Sequence, residues 1–207
     1  MAFVQANPVS RRIGPLPAED LATMTAAGVP AGVIEFLRDQ GLVFYAQDFL
    51  ATTLPHWHEA ALIAARQKPG ACFPFLRTAL GSLVFVKNGK VGILDPFTGK
   101  VHNVGKDLDY FLGAWMQMEI LRATDLHQDV YMKLAHGKAV LAIDEYFVIE
   151  PTPAGAFKVA MGIVAGGPLT AYSLRVARLG ADQPATAANK PTTRRPGAVK
   201  DGATRPT

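Results

Sequence analysis

The chain has 207 residues, 49% hydrophobic and 18% charged, with 19 Gly, 15 Pro and one Cys. That length is enough for one ordinary domain with a real core, and the apolar fraction excludes a wholly disordered chain. A single cysteine excludes an internal disulfide framework and any zinc site built on several cysteines. The opening MAFVQANPVSRR has no apolar signal-type core, and the longest uncharged apolar stretch, Val159 to Leu174, is broken by four Gly or Pro. The expectation is a soluble, cytoplasmic protein that neither spans nor binds a membrane.

The net charge of +4 belongs to the C-terminal end. Beyond residue 184 there are five bases (Lys190, Arg194, Arg195, Lys200, Arg205) and one acid (Asp201), while the rest is neutral. Inside that neutral body the signs separate. Residues 60–106 carry seven bases and Asp95, and residues 107–150 carry eight acids and three bases. Such blocks suit a solvated surface, or a two-faced protein that steers a charged partner.

In chain order, residues 1–14 hold Asn7-Pro8 and Gly14-Pro15 punctuation and read as an N-terminal arm. Pro17-Ala18-Glu19-Asp20 opens a helix with acids in its first turn, where the helix dipole favours them. Gly28-Val29-Pro30 breaks it, and a second helix with Val33, Ile34 and Leu37 on one face ends at Gly41. Leu42 to Leu50 suits a short strand, and Pro55 opens a third helix. The stop at Lys68-Pro69-Gly70 divides a helical half, residues 15–68, from an α+β domain, residues 71–180.

From Cys72 the period becomes that of strands. Asn88-Gly89 between two apolar runs supplies the positive φ pair of a type I′ hairpin, and Asp95 to Gly99 is a second turn. The spacing then predicts one helix over Lys106–Arg122, with Leu108, Phe111, Leu112, Trp115, Met118 and Ile120 or Leu121 as its apolar stripe. It predicts another over Asp125–His136, strands over Ala139–Glu150 and Phe157–Val164, and a last helix over Leu169–Leu179. Residues 181–207 have no aromatic residue and only Val199 as a large aliphatic, so they are expected to be a disordered basic tail. The fold class is α+β: a helical N-terminal half, then an antiparallel β-meander packed with helices.

Few residues suggest chemistry. His56 and His58 at a helix start lie about 200° apart and do not share a metal ion. Asp144 and Glu145 on a strand point to opposite faces, and Cys72 sits in an apolar run without a base. No phosphate-binding glycine motif is present, and the basic tail lacks aromatics for base stacking, so no cofactor, metal or specific nucleic acid is expected. Two alternatives stay open: a small-ligand-binding or sensory α+β domain, and a hydrolase using Asp144 or Glu145 with a histidine.

Several short segments resemble one family. Phe75-Leu76-Arg77-Thr78-Ala79-Leu80-Gly81-Ser82-Leu83, the Asn88-Gly89 hairpin, Leu94-Asp95-Pro96-Phe97-Thr98-Gly99 and Ile143-Asp144-Glu145-Tyr146-Phe147 fall in the order found in GAD-like proteins. Leu16-Pro17-Ala18-Glu19 and the stretch from Val29 to Leu42 are similar to that family's helical half. Leu80, Ser82 and Leu42 depart from its pattern. The resemblance implies an immunity protein of a type VI secretion system: a non-enzyme that binds a cognate secreted toxin, often a nuclease, and occludes its active site. It implies Arg77, Thr78, Gly81, Asp95 and Tyr146 as structural signature residues. A nuclease is basic where it holds phosphates, so the acidic block is the expected toxin-binding surface. Its candidates are Asp107, Asp109, Glu119, Asp125, Asp129, Asp144 and Glu145, with Asp125 and Asp129 on one helix face. Arg77 is expected to be partly buried and paired with Asp144 or Glu145. The sequence leaves the oligomeric state open.

Because the tail offers too little apolar surface to dock, deleting residues 182–207 is expected to leave the melting temperature nearly unchanged. A loss of several degrees in thermal denaturation would show that the tail is part of the fold.

Overall fold

In the computed structural model, which describes residues 2–68, 70–151 and 157–163, Asn88 and Gly89 take φ of 50° and 71°. This is the type I′ turn that matches the right-handed twist of its flanking strands. It joins β5 (Leu83–Lys87) to β6 (Lys90–Leu94) with Lys87 opposite Lys90. The strands before and after extend the same pattern. They are β1 (Val9–Gly14), β2 (Leu42–Tyr45), β3 (Leu50–Thr52), β4 (Phe73–Thr78) and β7 (Val101–Asn103). All seven form one antiparallel sheet in sequence order, each strand beside its predecessor. A second pair, β8 (Glu145–Pro151) and β9 (Phe157–Ile163), forms its own hairpin. The protein is α+β.

The residues expected as an N-terminal arm are instead ordered into the fold. Ala2–Ala6 is a helix, α1, which buries Phe3, and Val9–Gly14 is the edge strand of the sheet. The division placed between residues 68 and 71 falls between β3 and β4, which pair antiparallel. Residues from both sides fill one large core, so the helical half and the α+β part are built together.

Strand alternation sends side chains to two cores. Val84, Val86, Val91 and Ile93 join Phe3, Met24, Val33, Phe36, Leu37 and Phe111, supplied by α1, α2 (Ala18–Ala26), α3 (Ala31–Gln40) and α5 (Leu108–Gly113). Edge-to-face ring contacts run from Phe3 to Phe36, Phe75 and Phe111, with centroids 5.6 to 6.1 Å apart. The opposite face places Leu83, Phe85 and Leu94 against Ala61 and Leu62 of α4 (Glu59–Ala64), together with Cys72, Tyr146 and Val148. Gly41, at φ 73°, lets the chain leave α3 into β2; a Cβ there would run into the Gly14 carbonyl oxygen.

The single helix expected over Lys106–Arg122 is three pieces. α5 ends at Gly113, a 3-10 turn covers Trp115–Gln117, and α6 (Glu119–Asp125) starts after Met118 takes an extended ψ of 102°. The helix expected to begin at Asp125 is α7 (Gln128–Leu134), entered through His127 at φ 62°. The strand expected from Ala139 starts only at Glu145. Leu42 to Leu50 holds the turn between β2 and β3 rather than one strand. The expected helix over 169–179 and the basic tail lie outside the described residues.

One row of direct cross-strand partners crosses the whole sheet: Arg11, Phe44, Ala51, Arg77, Leu83, Leu94 and Val101. Both arginines of this row hold the irregular segment before β8. Arg77, fully buried, donates from Nη2 to the carbonyls of Ala142 (3.3 Å) and Ile143 (2.7 Å), and from Nη1 to that of Thr78 (3.4 Å). Arg11 donates to the Leu141 carbonyl at 2.6 Å, pairs with Asp48 at 3.2 Å, and stacks 4.0 Å above the Phe44 ring. The acceptor expected for Arg77 was a carboxylate; the observed acceptors are carbonyls. Carbonyls replace carboxylates because a chain that runs across the sheet without strand pairing has backbone groups to satisfy.

Removing the guanidinium leaves the Ala142 and Ile143 carbonyls without it and opens a cavity. Arg77→Ala is therefore expected to cost on the order of 3–5 kcal/mol in urea denaturation. A variant of wild-type stability would show that the segment is held by other contacts.

Candidate functional site

The seven candidate carboxylates occupy three different places. Asp107 caps α5 by accepting the Tyr110 N–H at 2.9 Å, and Asp109 lies in the first turn of the same helix; both are exposed. Glu119, exposed, opens α6. Asp125 ends α6, is half-buried and accepts the Thr124 hydroxyl at 3.0 Å, whereas exposed Asp129 is in α7, 3.9 Å from Lys133. Asp125 and Asp129 thus do not share a helix face, because the left-handed turn at His127 intervenes. Asp144 and Glu145, half-buried, sit next to the segment held by Arg77, and the Ala142 N–H donates to Glu145 Oε2 at 2.7 Å. Among the described residues neither forms an ion pair with a histidine.

Glu119 and Asp129 come together on one groove of about 410 Å³ between α6, α7 and the turn that follows β2. Ala6, Pro8, Ala46, Ala123 and Met132 give it apolar walls. Its cation is engaged by its surroundings: Arg122 donates from Nε to Gln128 at 3.0 Å and from Nη1 to the Met116 carbonyl. These acceptors are neutral and leave the guanidinium charged, so the lining sets two carboxylates against one cation and is negative by one charge.

The same stretch of chain carries a feature that the sequence does not announce. Eight large hydrophobic side chains are exposed among the described residues, and five of them lie between residues 110 and 140: Tyr110, Met118, Ile120, Met132 and Val140. Met118, and Ile120 as the alternative to Leu121, belong to the stripe expected for one continuous helix. The break at Met118 turns them outward, to 41% and 69% exposure. The only sequence signal for that break was the want of a well-defined stripe after Trp115.

The acidic helices are fastened to the sheet through Asp95, which is buried. Its carboxylate accepts from the Phe97 N–H (2.8 Å) and the Thr98 hydroxyl (2.7 Å), with His127 Nε2 at 3.1 Å and His102 Nε2 at 4.0 Å. Burial works to raise its pKa, but the bonds from His127, Thr98 and the Phe97 amide outweigh it and bring the group down to about 2. His127 also meets the Phe97 ring edge-on at 4.7 Å.

The Thr78 N–H donates to the Ser82 carbonyl (2.9 Å) and the Ser82 N–H to Thr78 Oγ1 (3.0 Å), closing a turn whose Gly81 takes φ 89°. Tyr146 is buried in the smaller core. Of the two histidines near Pro55, His56 faces Asp20 at 3.9 Å and His58 is buried, with Nε2 2.6 Å from Thr53 Oγ1. Burial, then the charges of Arg77 and His56, push the His58 pKa down to about 3. Burial also raises the Cys72 thiol. Among the described residues no group of three or more His, Cys, Asp or Glu is placed to hold a metal ion, and no helix is long and apolar enough to cross a membrane.

No protein-family model matches the chain, and no curated protein matches it. Among solved structures, the crystal structure of Atu4351 from Agrobacterium tumefaciens superposes with a TM-score of 0.61. That likeness spans 92% of this chain and 93% of the other at 12% identity. At this identity the two share a fold.

His58 gives the fold a defined acid response. The folded state keeps it neutral to about pH 3, whereas the unfolded chain takes up the proton near the ordinary value of 6.5. Stability from this group is complete above that value and is lost as pH falls, by about 1.4 kcal/mol per pH unit. In urea denaturation at pH 7 and pH 5, wild type should fall relative to His58→Gln by about that slope; parallel behaviour would mean that His58 titrates normally.

Proposed function

We propose that this chain is an immunity protein that binds a cognate type VI secretion toxin, of nuclease type, in the cytoplasm and covers its active site. The observation that carries this reading is the mixed exposure along α5, α6 and α7, with Glu119, Asp129 and Met132 meeting at one groove. It combines exposed apolar side chains (Tyr110, Met118, Ile120, Met132) with exposed carboxylates (Asp107, Asp109, Glu119, Asp129). Exposed apolar residues rimmed by polar ones are how protein interfaces are made, and the acids suit a partner that is basic where it grips phosphate. The likeness of Arg77 to Leu83 and of Ile143 to Phe147 to the GAD-like signatures supports the same reading.

In this mechanism the apolar residues supply affinity and the carboxylates supply speed. Rim charges act through long-range attraction, so they govern how fast the complex forms and how strongly salt slows it. Occlusion then needs no chemistry from this chain.

The test begins with the neighbouring gene: a toxin gene with a secretion marker is expected immediately upstream, and its product is the binding partner to assay. Glu119→Lys with Asp129→Lys should lower the association rate by about tenfold at low salt, leave the melting temperature unchanged, and lose the difference as salt rises. Protection of cells expressing the toxin should fall with it. A double variant that binds and protects like wild type would remove the acidic face from the interface.

A further inference from the structure

We infer that the protein carries a second docking site on the opposite charge: the groove beside β7 takes an acidic, extended polypeptide segment, which adds to β7 as a further strand. The groove has a volume of about 470 Å³ and is lined by Lys87, Asn88, Lys90, Gln67 and Asn103, with no carboxylate. Its shape follows from the sheet. Phe85 lies opposite Gly92 in the register, and its ring occupies the space a side chain would fill, 2.7 Å from where a Cβ would sit. The face is thus lowered between the Lys87–Lys90 pair and β7. The Lys87 ammonium donates to Gln67 Oε1 at 2.9 Å, a neutral acceptor that holds the cation at the groove wall without cancelling it.

The groove runs along a sheet edge, and that decides the class of partner. β7 ends the strand order, and Val101, His102 and Asn103 are all exposed. Asp95 N–H donates to the Lys100 carbonyl and Val104 N–H to the Val91 carbonyl, so residues 100, 102 and 104 turn their backbone groups inward to β6. By the alternation of an antiparallel ladder, Val101 and Asn103 turn their N–H and C=O groups outward. An exposed edge of this kind is a template for another strand, and only a polypeptide can use it. Side chains on alternate positions of that strand reach the groove, where the lysines select carboxylates. Lys87 and Lys90 line the groove and Lys100 and Lys106 flank β7 in the chain, against the single carboxylate of Asp95, which is buried and has His127 and His102 beside it, so the charge at this edge is positive. A nucleic acid would satisfy the lysines but not the strand edge.

The probe is a capped peptide of about ten residues that alternates glutamate and valine, titrated into the full chain by fluorescence anisotropy. Binding should weaken with salt and fall by about tenfold in Lys87→Glu with Lys90→Glu. A glutamine–valine peptide should bind about tenfold more weakly than the glutamate one. Val101→Pro, which removes an outward N–H, should also weaken binding. Should that variant lose its fold, amide exchange in the wild-type protein decides instead: the peptide should protect the Val101 and Asn103 amides. Glu119→Lys with Asp129→Lys should bind the peptide as wild type does, which separates this site from the acidic face. The inference is overturned if the peptide does not bind, if binding ignores the lysine reversal, or if those two amides gain no protection. It is overturned equally if a single-stranded oligonucleotide of matched charge binds more tightly than the peptide.

Discussion

The Arg77 guanidinium inside the sheet's cross-strand row is the constraint on which the rest of the structure depends. The chain returning from α7 has to run to β8 across a sheet face without joining the ladder, and its carbonyls at Ala142 and Ile143 have to be satisfied without strand partners. Arg77 does this from a β4 position with no exposed surface. Burying a cation is costly, and burial lowers the Arg77 pKa to about 10, with the fields of Asp144 and Glu145 acting in the opposite sense. The group stays charged at neutral pH, held by carbonyl dipoles and two nearby carboxylates. Arg11 repeats the arrangement from β1, with Phe44 between the two cations. Sheet, crossing segment and second hairpin are therefore one construction.

What the sequence made legible follows the local physics of each element. The Asn88-Gly89 turn and the Asp95–Gly99 turn could be read because their geometry is specified by two or three adjacent residues. β1 was missed because Ser10-Arg11-Arg12 is polar, as an edge strand with one covered face allows. The turn between β2 and β3 was missed because Ala46, Gln47 and Asp48 all take left-handed φ, 50° to 65°, without a glycine to announce it. Left-handed residues with a Cβ cost about 1–2 kcal/mol each and are held there by surrounding structure, here by Tyr131 donating to the Gln47 carbonyl at 2.8 Å. No window of sequence contains that information.

The candidate site was legible in its chemistry and not in its grouping. The acidic block was visible as composition, yet its members divide between cap, groove and crossing segment according to helix breaks that tertiary packing sets. Asp107 also serves as a helix cap and Glu145 also accepts the Ala142 amide, so each has a local structural role beside its charge. The exposed apolar side chains were hidden because Met118, with Ile120 or Leu121, fits a continuous helical stripe. Asp95 connects the two halves of this picture: it shapes the turn after β6 and receives His127 at the α6–α7 junction, so the acidic helices take their position from the sheet.

The strand order has a consequence for how the chain reaches this structure. From β2 to β7 each strand pairs with the one before it, and four of the six connections are short loops, which are entropically inexpensive to close. The bond from Arg11 to Leu141 spans 130 residues, and those from Arg77 to Ala142 and Ile143 span 65 and 66. These contacts reward the chain only after the meander exists. Loops of that length cost more closure entropy than the hairpins do, so the arginine contacts add least cost to a sheet that is already formed.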